Sequence, residues 1–176
     1  MTTARKARAR LRPATARDLD WVVRRHAEHY ADEYGYNRDF AATVAAIVRQ
    51  YRRRGDKVHE RGWIALHRGR PAGCVFVTRR SGTIGQLRLL LVEPSARGRG
   101  LGRQLVAECI AFARAVGYRK LLLWTSDELA TARHLYEQAG FRQIDAERSP
   151  HFGSVRTMQF WALSLGPARA APRGPA

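Results

Sequence analysis

The stretch that decides the fold runs from Val92 to Leu105 and reads VEPSARGRGLGRQL. Three glycines alternate with arginines and a leucine, between an apolar run and an amphipathic one. Glycines let the backbone approach an anion closely, and a helix that begins near Leu101 would direct its unpaired amides to the same place. The arginines would add charge-assisted donors. The stretch therefore predicts a strand–turn–helix junction that binds phosphate, with a tight turn carrying solvated arginines as the plainer alternative.

Two common phosphate-binding motifs do not fit this stretch. A P-loop needs a lysine followed by serine or threonine after its second glycine, and no lysine stands in that frame. The dinucleotide motif GxGxxG would need glycine at Arg103 or at Leu105. An R-x-x-G-x-G pattern from Arg97 to Gly102 remains.

The remaining sequence patterns predict one α+β domain over residues 9–165, with flexible basic tails at 1–8 and 166–176. Strand and helix patterns follow each other in the order β-α-α-β-β-β-α-β-α-β-β. A turn is expected at residues 69–73, GRPAG, between the second and third strands. The segments LRLLLVE and KLLLWT should form a parallel pair joined by a right-handed crossover. The expected sheet is mixed but largely antiparallel, with six or seven strands and flanking helices.

Composition and charge exclude several classes of protein. The net charge of +17 suits a phosphorylated cofactor, an acidic substrate or nucleic acid, or reflects composition alone. No nucleic-acid-binding motif accompanies the charge, so nucleic acid is a disfavoured partner. The longest apolar run, residues 89–92, is too short to cross a membrane, and Cys74 and Cys109 form no CxxC pair. Because the two cysteines form no pair, the expected location is a reducing cytoplasm. His26 and His29 lack a third metal ligand, so no metal is expected.

Three segments together resemble the acetyl-coenzyme-A-binding half of the GNAT superfamily of N-acyltransferases. They are LRLLLVEPSARGRGLGRQL, GYRKLLLWT and ATARHLYEQAGF, and the resemblance covers roughly residues 64–165. The chain is also similar to the acetyltransferase half of bacterial chains that begin with a MarR-type winged helix, without that front part, so no DNA-reading role is implied. The resemblance implies transfer of acetyl from acetyl-coenzyme A to a primary amine of a small molecule or protein. A catalytically weak acetyl-coenzyme-A-binding sensor is the alternative.

The same resemblance implies a set of site residues. The Leu90 N–H would donate to the thioester oxygen, and the backbone of Leu91 and Val92 would hold the pantetheine arm. Tyr136 would protonate the leaving thiolate, although helical spacing also suits a core tyrosine. The pyrophosphate would lie against Arg97, Gly98, Arg99, Gly100, Leu101, Gly102 and Arg103. Ala132 and Arg133 would lie along the pantetheine and the phosphates.

The residue that deprotonates the amine does not follow from the pattern. Several relatives carry a glutamate four residues before the oxyanion donor, where this chain has Gln86. Water, Glu33 or His151 could take that role, whereas His26 lies on an apolar helical stripe and is expected in the core. The segment EHYADEYGYNRDF would suit a cationic amine or form ordinary surface. The family also allows a homodimer.

Overall fold

A single sheet of seven strands, in the order β1-β2-β3-β4-β5-β7-β6, runs through the computed structural model, which describes residues 10–166. The predicted element order and the mixed, largely antiparallel sheet are confirmed. The predicted tails at 1–8 and 166–176 lie outside the described residues, except for Gly166. The strands are β1 (Arg10–Pro13), β2 (Arg61–His67), β3 (Arg70–Arg79), β4 (Ile84–Val92), β5 (Lys120–Ser126), β6 (Arg142–His151) and β7 (Ser154–Ser164). The helices are α1 (Leu19–Tyr34), α2 (Arg38–Arg54), α3 (Leu101–Ala115) and α4 (Ala130–Gln138).

The helices pack on opposite faces of the sheet. Under α3, Leu105 and Cys109 are fully buried against Val75 and Leu121. Under α1 and α2, Val22 and Val48 pack against a second set that includes Phe76. Alternate residues of β3 thus serve the two faces, as the two-residue period of a strand requires. No helix within residues 10–166 is long and apolar enough to span a membrane.

The parallel pair of β4 and β5 is short. Its register begins at Ile84 with Lys120 and ends at Gln86 with Leu122. Beyond that point β5 remains paired with β7 as far as Ser126, while β4 continues to Val92 beside β3. The edge of β4 that faces β5 is therefore unpaired from Leu87 onward. The predicted parallel pairing of the two strands is confirmed, but the paired residues of β4, 84–86, precede the segment LRLLLVE, which lies along the gap. The handedness of the crossover stays a prediction.

A β-bulge interrupts β4 inside this gap. Leu89 has φ 56°, and the register with β3 shifts between Cys74 and Phe76. A leucine in the left-handed region is uncommon and unfavourable. Leu87 packs in the core under α3, whereas Leu91 packs in the core under α1 and α2. Residues four apart in a regular strand share one face, so the bulge resets which side chains face each helix layer.

The turn predicted at residues 69–73 is wrong. The hairpin turns at Arg68 and Gly69, with φ 50° and 75°, and β3 begins at Arg70. Positive φ at both central residues is typical of a two-residue hairpin loop. Gly73 lies within β3. A Cβ at this position would lie 2.8 Å from the Leu91 carbonyl oxygen, so the position needs a residue without a side chain. The glycine that indicated a turn instead permits close backbone packing.

A capping box anchors the start of α1. Asp18 accepts hydrogen bonds from the Thr15 N–H at 2.7 Å and from the Thr15 hydroxyl at 2.8 Å. The Arg12 guanidinium donates to both carboxylate oxygens at 2.7 and 2.8 Å. The Arg12 contact, followed by the bonds from Thr15, lowers the pKa of Asp18 to about 2, against the opposing effect of burial. One side chain therefore joins β1 to the first helical turn.

We expect Asp18→Ala to lower the free energy of unfolding at pH 7 by about 1–3 kcal/mol, because it removes the acidic partner of Thr15 in the capping box and leaves Arg12 without its partner. The contribution is present above the unfolded pKa of about 4 and is lost as the pH falls towards 2. Urea unfolding at pH 7 and at pH 2 measures both effects. Asp20→Ala, at an exposed position of the same turn, is the control, and equal losses in the two variants would contradict the role of the box.

Candidate functional site

The gap between β4 and β5 opens into two cavities that meet. The glycine-loop cavity lies between the end of β4, the start of α3 and α4. The aromatic cavity lies between α1, α2, β4 and the turn that joins β6 to β7. Both are lined by Tyr30, Leu90, Leu129 and Ala132. A molecule that occupies both would cross the unpaired edge of β4 at Leu90.

Most of the residues predicted to bind the cofactor line the glycine-loop cavity. Three do not: Arg99 is exposed beyond its lining, Arg133 lines neither cavity and has a buried Nε atom without a partner, and Tyr136 lines only the aromatic cavity. The sequence reasoning missed Thr131 and Leu135 of α4 and Tyr34 of α1. The predicted residues found there are Leu90, Leu91, Val92, Arg97, Gly98, Gly100, Leu101, Gly102, Arg103 and Ala132.

The three loop glycines have two different physical roles. Gly98 and Gly100 have φ 72° and 79°, and a Cβ at either position would meet nothing closer than 4.0 Å. Their conformation requires glycine, and packing does not. At Gly102, by contrast, a Cβ would lie 2.6 Å from Leu135 Cδ1. Gly102 therefore lets α3 pack closely on α4.

The start of α3 presents backbone donors to this cavity. The Gln104 N–H donates to the Gly100 carbonyl at 3.1 Å. The amides of Leu101, Gly102 and Arg103 belong to the first helical turn, where no carbonyl one turn earlier can accept from them. Unpaired amides and the positive end of the helix dipole are features that suit an anion, so the predicted phosphate site stays a prediction with matching geometry.

Arg97 is held by α1. Its guanidinium donates to the Glu33 carboxylate at 2.9 Å and to His29 Nε2 at 2.9 Å. His29 is therefore neutral, with its proton on Nδ1, and burial lowers its pKa. The Arg97 contact lowers the pKa of Glu33. Because Glu33 pairs with the glycine loop and does not line the aromatic cavity, it is poorly placed to accept a proton there.

Tyr136 lines the aromatic cavity from α4. Only 5% of its surface is exposed, and its ring packs on Phe141 at 5.9 Å between centroids. Burial raises the pKa of its hydroxyl above the ordinary value of 10. The hydroxyl makes no hydrogen bond to another residue in the described range 10–166. Tyr136 is thus both a core residue and a protonated donor facing the cavity.

The Gln86 position, where several relatives carry a glutamate, and the predicted base candidate His151 both lie away from this cavity. Gln86 occupies the last parallel pair of β4 and lines neither cavity. His151 stands at the end of β6 within 2.9 Å of the Ser149 hydroxyl and also lines neither. Trp124 and Phe152, which contact the His151 ring, line the aromatic cavity in its place.

His26 is buried as expected, but it also faces the aromatic cavity. Its Nδ1 lies 2.8 Å from the Val22 carbonyl oxygen and must carry the proton, since a carbonyl only accepts. Nε2 is therefore an unprotonated acceptor, and it is buried without a partner. Burial lowers the pKa of His26 to about 4. The ring is neutral at pH 7 and available as a hydrogen-bond acceptor.

The sequence reasoning did not identify the lining of the aromatic cavity. Arg88 on β4, Tyr36 after α1, and Phe40 on α2 all line it. A signal for Arg88 was present, because it is the single charged residue in the strand IGQLRLLLV. Within residues 10–166, no three His, Cys, Asp or Glu side chains are grouped as a metal site.

Comparison with known proteins identifies the family. Residues 24–141 match the acetyltransferase (GNAT) family, and the chain belongs to it. An uncharacterized N-acetyltransferase of Schizosaccharomyces pombe is 30% identical over 122 residues, which cover 67% of this chain and 73% of that protein.

Other similarities are more local or concern the fold. The mycothiol acetyltransferase of Beutenbergia cavernae is 42% identical over 60 residues, 34% of this chain, and the chain spans only 20% of that relative's length. The structure of YncA from Salmonella typhimurium, a putative acetyltransferase solved with its cofactor acetyl-CoA, superposes with a TM-score of 0.75 at 20% identity. That superposition covers 96% of this chain and 100% of YncA, and it confirms the fold.

The buried His26 should make the protein less stable in mild acid. Between pH 6.5 and 4 the unfolded chain binds a proton at this residue that the folded chain does not, so stability falls as the pH falls. A shift from about 6.5 to about 4 corresponds to a loss of about 3 kcal/mol across that interval.

Urea unfolding of the wild type and of His26→Asn, over pH 4 to 7, measures this contribution. Asparagine keeps a donor near the Nδ1 position and does not titrate, so the slope should decrease, with a residual part from His29. His134→Asn, on the exposed face of α4, is the control and should keep the wild-type slope. An unchanged slope in His26→Asn would show that His26 is not buried in its neutral form.

Proposed function

We propose that this chain transfers an acetyl group from acetyl-coenzyme A to a primary amine of a small molecule or protein, by direct attack of the amine. The observation that carries the proposal is the unpaired edge of β4 at Leu90, Leu91 and Val92. It lies where the glycine-loop cavity meets the aromatic cavity. A phosphate-binding end, a free strand edge and a buried proton donor therefore follow one path.

The residues on this path fit coenzyme A. The amides that begin α3, with the left-handed Gly98 and Gly100, suit the pyrophosphate. Arg103 adds a cation at the cavity wall. The Glu93 N–H donates to Ala72 of β3, so the backbone of Val92 faces the gap and suits an amide of the pantetheine arm, whereas that of Leu91 faces β3. Arg97 contributes less charge than the sequence indicated, since Glu33 neutralises it. Acetyl-coenzyme A would supply the thioester carbon that the amine attacks and the thiolate that leaves.

Two groups of this chain would then act on the reacting atoms. The Leu90 N–H would donate to the oxygen that becomes negative, and such a preorganised donor contributes typically 10²–10³-fold to the rate. Tyr136 would give its hydroxyl proton to the leaving sulfur. A phenol is an adequate acid for this step because the thiol formed is only moderately acidic. The amine would lose its proton to water, because Gln86 and Glu33 do not line the aromatic cavity.

A second candidate function is an acetyl-coenzyme-A sensor with little turnover. Gln86 favours it, because a glutamine cannot take a proton at neutral pH, and so does the low pKa of His26. Thiol release from acetyl-coenzyme A, measured over a panel of amines, amino acids, peptides and aminoglycosides, separates the two functions. Amine-dependent release supports the enzyme, and tight binding of acetyl-coenzyme A without release on any amine supports the sensor.

Several expectations about the whole chain stay predictions. They are a single domain over residues 9–165, a cytoplasmic location, a homodimer, and the similarity to the acetyltransferase half of MarR-type fusion chains. None of them enters the proposed reaction.

Gly100→Val should weaken the binding of coenzyme A by about 1–3 kcal/mol, because valine strains the left-handed backbone and blocks close approach of the phosphates. Calorimetric titration with coenzyme A measures the change. Gly69→Val is the matched control, since Gly69 has φ 75° and open space around it but lies in the β2–β3 hairpin. Wild-type affinity in a folded Gly100→Val would exclude this loop as the phosphate site.

Tyr136→Phe should lower kcat by about 10²–10⁴-fold with little change in coenzyme A affinity, because it removes a general acid and almost no packing. Steady-state thiol release and calorimetry measure the two quantities. Tyr118→Phe is the matched control, since its buried hydroxyl donates to the His59 carbonyl at 2.8 Å, outside both cavities. Normal turnover in Tyr136→Phe would assign Tyr136 to the core alone.

A further inference from the structure

The aromatic cavity has a wall of rings. Tyr30 packs on Phe40 at 4.5 Å between centroids, and Tyr36 stacks on Phe152 at 5.3 Å. Trp124 closes the side beyond Phe152. The cavity volume is about 90 Å³, which is room for several water molecules. The cavity suits a small molecule with an apolar or aromatic body.

Arg88 is the one residue with a permanent charge in the lining of this cavity, and no carboxylate lines it. The Nε atom of Arg88 is buried without a partner, and within residues 10–166 its guanidinium takes part in no ion pair. Burial lowers the pKa of Arg88, and the nearby charges of Arg80 and Arg54 lower it further. The protein therefore holds a half-buried cation that its own side chains do not compensate.

Two other arginines of this chain with little exposure are compensated. Arg156, 6% exposed, pairs with Glu128. Arg25 pairs with Glu93, with Nε and Oε1 2.6 Å apart. The Nε atom of Arg133 is also buried without a partner, but Arg133 lines neither cavity. An unpaired buried charge is costly, and the cost disappears when a ligand brings the opposite charge. Because Arg88 is such a cation and lines the aromatic cavity, it indicates an anionic ligand there.

The position of Arg88 associates that anion with the acceptor. It lies on β4 two residues before Leu90, and the two Cα atoms are separated by at most about 7 Å of strand. The unprotonated Nε2 of His26 faces the same cavity and can accept a hydrogen bond from an amine. A donor for an anion and an acceptor for an amine are thus both present and both unsatisfied.

We propose that the acetyl acceptor is a free amino acid with an apolar or aromatic side chain, and that Arg88 binds its carboxylate. This inference rests on the proposed acetyl transfer. A single guanidinium matches a singly charged carboxylate better than a doubly charged phosphate. An amino-acid acceptor replaces the cationic amine that the acidic segment EHYADEYGYNRDF suggested, because Asp32 and Glu33 of that segment do not line the cavity.

The test compares matched acceptors with acetyl-coenzyme A. L-phenylalanine, L-tryptophan and L-leucine are each assayed beside their carboxamides, with phosphoethanolamine and spermidine as phosphate-bearing and cationic amines. We expect kcat/KM about 10–100-fold higher for each acid than for its amide, which is the range for one charged hydrogen bond. In Arg88→Gln this ratio should fall to within a few-fold of one, mainly through KM.

Arg80→Gln is the matched control, because Arg80 contributes to the charge around Arg88 but does not line the cavity. It should keep the preference for the acids, and the same loss in both variants would overturn the direct contact. Arg88→Gln should also keep or raise the thermal midpoint, since it removes an uncompensated cation. A lower midpoint would assign Arg88 to the fold.

The remaining outcomes separate this inference from the proposed function. Equal rates for acids and amides, or a preference for phosphoethanolamine or spermidine, would overturn the amino-acid acceptor and leave acetyl transfer in place. If no amine is acetylated, the proposed function fails, and stabilisation by the amino acids alone then tests the site. A rise in the thermal midpoint of the wild type but not of Arg88→Gln would support the carboxylate site, and no rise in either would overturn it.

Discussion

The parting of β4 from β5 after Gln86 is the constraint on which the rest of the structure depends. Each of the two strands keeps its partner on the far side, β3 and β7 respectively, so the separation costs only the hydrogen bonds between them. The space that results admits Tyr136 from α4 and Tyr30 from α1 to one place. A fully paired sheet would close this passage, and the glycine loop would be an isolated anion site on the surface.

Helix α1 supports this arrangement through two charged contacts with the segment that follows β4. Arg25 holds Glu93 at the end of β4, and Arg97 of the glycine loop donates to Glu33 and His29. The neutral state of His29 is part of that contact, because a protonated ring could not accept from Arg97. The same helix presents His26 to the aromatic cavity. Its position therefore affects both the loop and the acceptor side.

The sequence predicted the element order, the parallel pair and the glycine junction because each depends on local patterns. Hydrophobic periodicity identifies a helix or strand, and consecutive glycines mark a backbone conformation. The predicted turn at residues 69–73 was wrong because Gly73 is required by close packing against the backbone of Leu91, eighteen positions away along the chain. Gly102 was interpreted only as a cofactor residue, although its contact with Leu135 gives it a packing role.

The acceptor side was beyond local patterns for the same reason. Tyr36 and Phe40 are near each other in the chain, but Phe152 is distant from both, and only the tertiary fold brings its ring to theirs. The bulge at Leu89 was likewise invisible, since a run of leucines carries no sign of positive φ. Arg88 differs, because a lone charge within an apolar strand is evident in the sequence. The interpretation of Arg88 as an anion-binding residue also required the tertiary structure, which shows that no carboxylate lines its cavity.

The contact between Gly102 and Leu135 fixes the distance between the glycine loop and Tyr136 as well as the packing of α3 on α4. Because only the Leu135 side chain separates α3 from α4 at Gly102, the loop amides at the start of one helix and the Tyr136 hydroxyl on the other stand at a set spacing. In the proposed reaction, this spacing sets the length that the acyl donor must have between its phosphates and its acyl group. A donor with a shortened arm could fill the phosphate end and still leave its acyl group short of Leu90, so the protein would select its donor by reach as well as by charge.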